Sequence, residues 1–445
     1  MRPSSPPLLI AALAIEAALL YVVSIGDLRA DVPRFWIGIF PIFVLYLLSS
    51  LYILRRPAGS IRLILLCGLL FRLTMWWSPP SLSDDIHRYV WDGRVQLADI
   101  NPYRYPPEAA EVTHLRDADY EKINHREIPT VYPPLAQLFF RLVCALRPGP
   151  QLMKFDLLLC EIGLILLLVA ILRQRCQDPR RVLLYAWNPL AIVEIAGSGH
   201  VDILGVLLMM LALFYLAGER PMGASAALAG AFLGKLLPAM LLPLFWSHLS
   251  PSGSVPPWKR WLSLRPRLPL LWFPLLALLG FLPFLDAGPQ LFAGLQTYLR
   301  HWQFNGAIST LLALLFERGF PDGDSLMLAR GTGIGLLLLT LLWTALRHFE
   351  PYRAAFWIMS AYLLLSPTLH PWYLLWILPF LPLFAPPAWI LLSGLVLLAY
   401  EVLIEYSKTG IWTEQTWVKW AQFAPFFLLL IAYPVYQLYR RRSRA

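Results

Sequence analysis

Apolar runs of near-membrane length recur from one end of this chain to the other, and they leave few folds open. The hydrocarbon core of a bilayer takes about 20 apolar residues of helix per crossing. Apolar runs of 11 to 20 residues cover 7–25, 35–54, 61–77, 155–172, 182–196, 201–217, 222–233, 236–246, 268–285, 328–346, 354–365, 372–384, 389–404 and 423–438. In hydrocarbon, only helices and closed barrels satisfy every backbone N–H and C=O. These runs are Leu-rich and continuous, without the two-residue alternation of a barrel strand, so helices are expected. Composition agrees: 58% of 445 residues are hydrophobic and 14% charged, against about 25% charged in a soluble domain. No small-residue cleavage site follows the first run, which reads as a retained span and not a signal peptide. The expected fold class is all-α: a polytopic transmembrane helical bundle of about fourteen spans, forming a single integral membrane domain over 1–445.

The net charge of +10 does not call for nucleic acid. In a membrane protein, Lys and Arg mark cytoplasmic loops and meet anionic lipid there. Arg55, Arg56 and Arg62 flank one loop, and Arg173, Arg175, Arg180 and Arg181 another. Lys259, Arg260, Arg265 and Arg267 lie in a third, Arg347 and Arg353 in a fourth, and Arg440, Arg441, Arg442 and Arg444 in the tail. All share one side if both termini are cytoplasmic and the segment 131–146 does not cross. That segment carries Arg141 and opens with Pro133–Pro134, so it is expected as a juxtamembrane helix lying at the interface. The outer face then holds a first large loop, 78–153, a second, 286–327, and shorter loops at 197–202, 366–372 and 407–420. The isolated Trp412, Trp417 and Trp420 read as an interfacial belt. Cys67, Cys144, Cys160 and Cys176 are scattered with no Cys-x-x-Cys pair, and free thiols are expected.

Candidate chemistry lies on the outer side. The first loop opens Ser83-Asp84-Asp85-Ile86-His87-Arg88-Tyr89. Desolvation at a membrane exit raises a carboxylate pKa, which suits a general base. Asp84 and Asp85 are both candidates; one acidic residue is enough to cap a helix starting near Ile86, which leaves Asp85 for function. His200 and Asp202 emerge together after Gly197 and Gly199. Two ligands are too few for a closed metal site, so substrate hydrogen bonding is expected there and no metal. Lys235, alone between apolar segments, must reach water or an anion such as phosphate. Arg300-His301-Trp302-Gln303-Phe304-Asn305 and Ser366-Pro367-Thr368-Leu369-His370-Pro371-Trp372-Tyr373 bring further polar and aromatic residues to the same face. Acids, a lysine and aromatic rings at one membrane surface suit a phosphate-linked sugar whose lipid tail lies among the helices.

The ordered set Asp85-Ile86-His87-Arg88-Tyr89, Asn101-Pro102-Tyr103-Arg104-Tyr105, Tyr132-Pro133-Pro134-Leu135, Asn188-Pro189-Leu190 with Gly199-His200-Val201-Asp202, and His370-Pro371-Trp372-Tyr373 resembles GT-C-fold glycosyltransferases. Within that class it is most similar to bacterial polyprenol-phosphate-mannose-dependent mannosyltransferases. The resemblance implies a GT-C-like bundle, an acidic base in the first outer loop and a polyprenyl-phosphate sugar donor. No further cofactor is required. By position it assigns the base to Asp85, with Asp84 as competitor. On electrostatic grounds Lys235, His370 and Arg88 are expected at the donor phosphate. Substrate-binding candidates are Arg94, Asn101, Tyr103, Tyr132, His200, Asp202, Trp302, Asn305, Trp372 and Tyr373. The implied partners are the lipid-linked donor, a glycan or glycolipid acceptor and membrane lipid. The implied location is the cytoplasmic (inner) membrane, with the site facing the periplasm or cell exterior. A transporter or flippase is the alternative, but its polar residues belong near the midplane between inverted repeats, and no repeat is visible here.

Overall fold

The computed structural model describes residues 6–56, 59–249, 263–320 and 323–442, without the side chains of 437–442. Lys259, Arg260 and Arg444 of the basic loops lie outside the described residues. The described chain is all-helical, and seven of its helices are long and apolar enough to cross a membrane. They begin with α1 (Pro6–Ser24) and α2 (Val32–Arg55). Only half of the fourteen expected spans reach that length, and proline divides three of the other seven. It removes a helical hydrogen bond and clashes with the preceding turn. The run 372–384 becomes three short pieces, Pro371–Trp376, Leu378–Phe380 and Leu381–Phe384, each with proline in its first turn. The run 236–246 likewise divides into Leu237–Leu241 and Leu242–His248.

The chain forms two compact units. One comprises Met1–Leu82, Ile165–Ser198 and Thr368–Ala445. In it, α1 packs on α2 and on α3 (Ile61–Trp76). The run 182–196 is broken into Leu183–Ala186, Pro189–Ala191 and a π-helical turn, Ile192–Gly197. Such a break frees backbone groups that hydrocarbon cannot satisfy, and side chains take them up. The Asn188 side chain accepts from Leu190 N at 3.0 Å and donates to Tyr46 and Ser393. Tyr46 donates to Leu184 O at 2.8 Å. The buried Arg72 donates to Ala186 O at 2.6 Å, and Trp187 Nε1 to Ile64 O at 2.9 Å.

The other unit comprises Ser83–Leu164 and Gly199–Pro367. It opens with α4 (Asp85–Leu97), which packs on α5 (Pro134–Leu146). Gly93 allows the contact: a Cβ there would stand 2.5 Å from Phe140 O and 2.6 Å from Cys144 Sγ. Tyr89 stacks on Phe140 with centroids 4.7 Å apart. A buried polar network ties the pair to the intervening loop. Asp92 accepts from Arg88 Nε at 2.8 Å, Thr130 Oγ1 at 2.5 Å and Gln137 Nε2 at 2.9 Å. With 13 residues, α5 is about 20 Å long at 1.5 Å per residue, short of the ~30 Å hydrocarbon core. On its own it is too short to cross that core. The next helix, α6 (Pro150–Gln174), is long enough to cross.

Candidate active site

Four ionisable residues far apart in sequence meet in the second unit, and glycines set their approach. Gly199 adopts φ +77°, and a Cβ there would stand 2.6 Å from Ile86 Cδ1 and 3.0 Å from Lys154 Cγ. A residue with a side chain would meet both the left-handed penalty and the clash. The close approach sets the following residue, His200, against the start of α4, with Nδ1 3.8 Å from Asp85 Oδ2. Two residues on, Asp202 opens the helix Asp202–Ala217, where a carboxylate meets the positive end of the helix dipole. The helix Pro221–Gly234 packs against it where Gly234 faces Gly205: a Cβ on Gly234 would stand 3.3 Å from Gly205 N. Lys235, in extended conformation just past that helix end, reaches Asp202 Oδ2 at 3.4 Å. Its ammonium also stands 5.7 Å from the centroid of the Tyr132 ring.

The electrostatics of this cluster suit proton transfer beside an anion. Burial pushes the Asp85 carboxyl above the usual carboxylate range; the charges of His200 and Lys235 pull it down, while Asp202 and Asp84 push it up. The balance is upward, toward a more basic carboxylate. A quarter of the Asp85 side chain remains exposed, so an acceptor can reach it. Burial disfavours the Lys235 ammonium, but Asp202, Tyr298 and Asp85 more than offset it, and the group stays charged. With 28% of its side chain exposed against 1% for Asp202, Lys235 is the open end of the pair. Burial raises Tyr89 and Tyr132 well above the ordinary tyrosine value, so both hydroxyls keep their protons as donors.

Asp84 occupies the N-cap position of α4, but its side chain makes no capping hydrogen bond. The Ser83 hydroxyl instead faces Asp85 N at 3.4 Å. Arg88 lies one turn past Asp85 and is held in the network: Nε on Asp92, Nη1 on Ile128 O at 3.0 Å. Arg94 bonds Asp117 and Leu115 O. Asn101 donates to Phe284 O and Asp286, and Tyr103 donates to Tyr132 O at 2.6 Å. These four side chains are engaged in holding the segment that follows Asp85 together. Trp302 packs against His125 and Tyr298. Asn305 is buried at φ +51° beside Phe304, whose N–H donates to Pro367 O. His370, Trp372 and Tyr373 belong to the other unit, where the His370 ring stacks on Trp372 at 4.3 Å.

Sequence reasoning passed over Tyr89, Tyr298 and Lys154. The Tyr89 ring meets the Tyr132 ring edge to face with centroids 4.9 Å apart. Lys154 is fully buried against Gly199. A lysine inside Met153-Lys154-Phe155, at the head of a span, was a visible signal. Among the described residues, no three His, Cys, Asp or Glu side chains gather as a metal site.

Residues 16–250 match the family model for the alpha-(1->6)-mannopyranosyltransferase N-terminal domain. Residues 304–433 match the model for the MptB C-terminal domain. No curated protein and no solved structure matches the chain.

Proposed function

The chain belongs to the alpha-(1->6)-mannopyranosyltransferase family, and from that membership we propose that it moves mannose from a polyprenyl-phosphate donor to an acceptor hydroxyl, with Asp85 as general base. The observation that carries the proposal is the meeting of Asp85, His200, Asp202 and Lys235 in one unit. Family membership favours transfer over the transporter alternative.

Asp85 takes the proton from the acceptor O–H as that oxygen forms its bond to the anomeric carbon. The bond from that carbon to the phosphate oxygen breaks, and its electron pair leaves on the polyprenyl phosphate. Lys235 stabilises the charge that develops on the phosphate. The leaving group is already a stable anion, so no general acid is needed. A single displacement inverts the anomeric centre, and a β-linked donor gives an α-linked product. The lipid-linked donor, a glycan or glycolipid acceptor and membrane lipid are the partners. The protein resides in the cytoplasmic (inner) membrane, with Asp85 facing the periplasm or cell exterior. The arginine pattern supports that orientation.

The test is a donor panel. Purified protein receives a mannoside acceptor with polyprenyl-phosphate mannose, glucose or arabinose, or with a nucleotide-linked mannose. Transfer from the polyprenyl-phosphate mannose alone is expected. Transfer from the nucleotide-linked sugar overturns the donor assignment.

A further inference from the structure

An aromatic cluster in the second unit lies outside the chemistry assigned to Asp85 and Lys235. Helix Ala293–His301 ends at Trp302, whose N–H still bonds Tyr298 O at 3.0 Å. Tyr298 and Trp302 are four residues apart, so they share one helix face, and their ring centroids are 5.3 Å apart. The His125 ring, from the first outer loop, meets Trp302 edge to face at 4.6 Å. A close backbone approach builds this junction. A Cβ on Gly294 would stand 2.4 Å from Pro129 O and 2.7 Å from Thr130 O, so only glycine lets the helix start against that strand of loop. Arg330 holds the far end, donating to Arg300 O at 2.8 Å.

The cluster is built at a conformational cost, and its histidine side is open. His125 sits at φ +48°, a conformation that non-glycine residues adopt at some strain, and its carbonyl accepts from Ile128 N in a tight turn. Its side chain is 53% exposed, and Glu127, 57% exposed, lies 3.5 Å from Nδ1. A flat apolar ring bordered by a carboxylate and an imidazole matches a sugar: the C–H face of a pyranose lies on the ring, and its hydroxyls bond the polar rim. Tyr298 is among the groups that raise the pKa of Lys235, so the cluster lies within electrostatic reach of that ammonium. A tryptophan that only anchored the chain at a membrane surface would need neither the facing histidine nor the glycine approach.

We propose that Trp302 and His125, with Tyr298 beside them, form a stacking subsite for a sugar ring of the acceptor other than the one being mannosylated. The proposal rests on the mannosyl-transfer reading and adds a binding site to it. The subsite makes a second acceptor sugar contribute affinity that a single sugar lacks.

Binding without donor separates the two ideas. Protein in nanodiscs is titrated with α-linked mannose mono-, di- and trisaccharides by saturation-transfer NMR. Wild type should favour the trisaccharide over the monosaccharide by roughly tenfold, the upper range for one well-stacked ring. Trp302→Ala should abolish that preference, while Trp302→Phe keeps most of it. His125→Ala should reduce it and serves if the Trp302→Ala protein does not fold. Absence of a length preference in wild type, or its survival in the folded Trp302→Ala or the His125→Ala protein, overturns the subsite. Length-dependent binding in a protein that transfers no mannose overturns the transfer reading alone.

Discussion

Replacing Asp92 by alanine tests what holds α4 and α5 together. The change removes three hydrogen bonds to one carboxylate, from Arg88, Thr130 and Gln137. It leaves the Arg88 side chain, 7% exposed, with its charge buried and its carboxylate partner gone. Breaking a buried pair from one side costs about 3–5 kcal/mol. At roughly 2–4 °C per kcal/mol for a unit of this size, melting should fall by about 6–20 °C. The double variant Arg88→Met/Asp92→Leu removes both charges and should melt within a few degrees of wild type, because apolar replacement of a buried pair is often neutral. Thr130 and Gln137 still bond each other at 2.8 Å in that background. Cys144 is the reporter: it is buried on α5 with its thiol 3.6 Å from Val90 O on α4. With Cys67, Cys160 and Cys176 replaced by alanine, a thiol-reactive dye reads the temperature at which α4 and α5 part. An Asp92→Ala protein that melts within about 2 °C of wild type, or a double variant that melts lower than the single, would refute the reasoning.

Gly199→Ala should lose at least about tenfold in turnover while the protein still inserts. The added Cβ meets Ile86 and a left-handed backbone, and a small misplacement of reacting groups costs rate steeply; wild-type turnover contradicts the placement of His200. The pH profile follows from the signs at Asp85. Its pKa is raised by burial, only the ionised form accepts a proton, and so kcat/KM falls as pH falls through that pKa. Asp202→Asn removes a charge that raises it and should move the acidic limb to lower pH; a shift to higher pH contradicts the assignment.

The helical class was legible because membrane length and apolarity are local properties. The broken spans were partly legible too: Pro371 precedes the run 372–384, Pro379 and Pro382 stand in it, and each lies in the first turn of a helical piece. Candidate residues were visible, but their partners were not. Arg88 stands three residues from Asp85 and invites a phosphate role, yet Asp92, four residues on, takes its guanidinium. That spacing is itself a readable helix pair. Asn101 meets Asp286 and Phe284 across a separation that no local pattern encodes. Glycine carried the least visible information. Gly93, Gly199, Gly234 and Gly294 each allow an approach that decides which side chains meet, and only the packed structure shows what lies opposite them.

Turnover of Asp85→Asn with polyprenyl-phosphate mannose is the most direct test of the account. Asparagine keeps the shape and removes the proton acceptor, so the rate should fall by about 10²–10⁴-fold, the scale of a general base. Melting should hold or rise, because a carboxyl with a raised folded-state pKa burdens the folded protein when ionised and asparagine carries no charge. Asp84→Asn should stay near wild type. An active Asp85→Asn protein beside a dead Asp84→Asn protein would move the base one residue earlier. Two active variants would contradict the account at its centre.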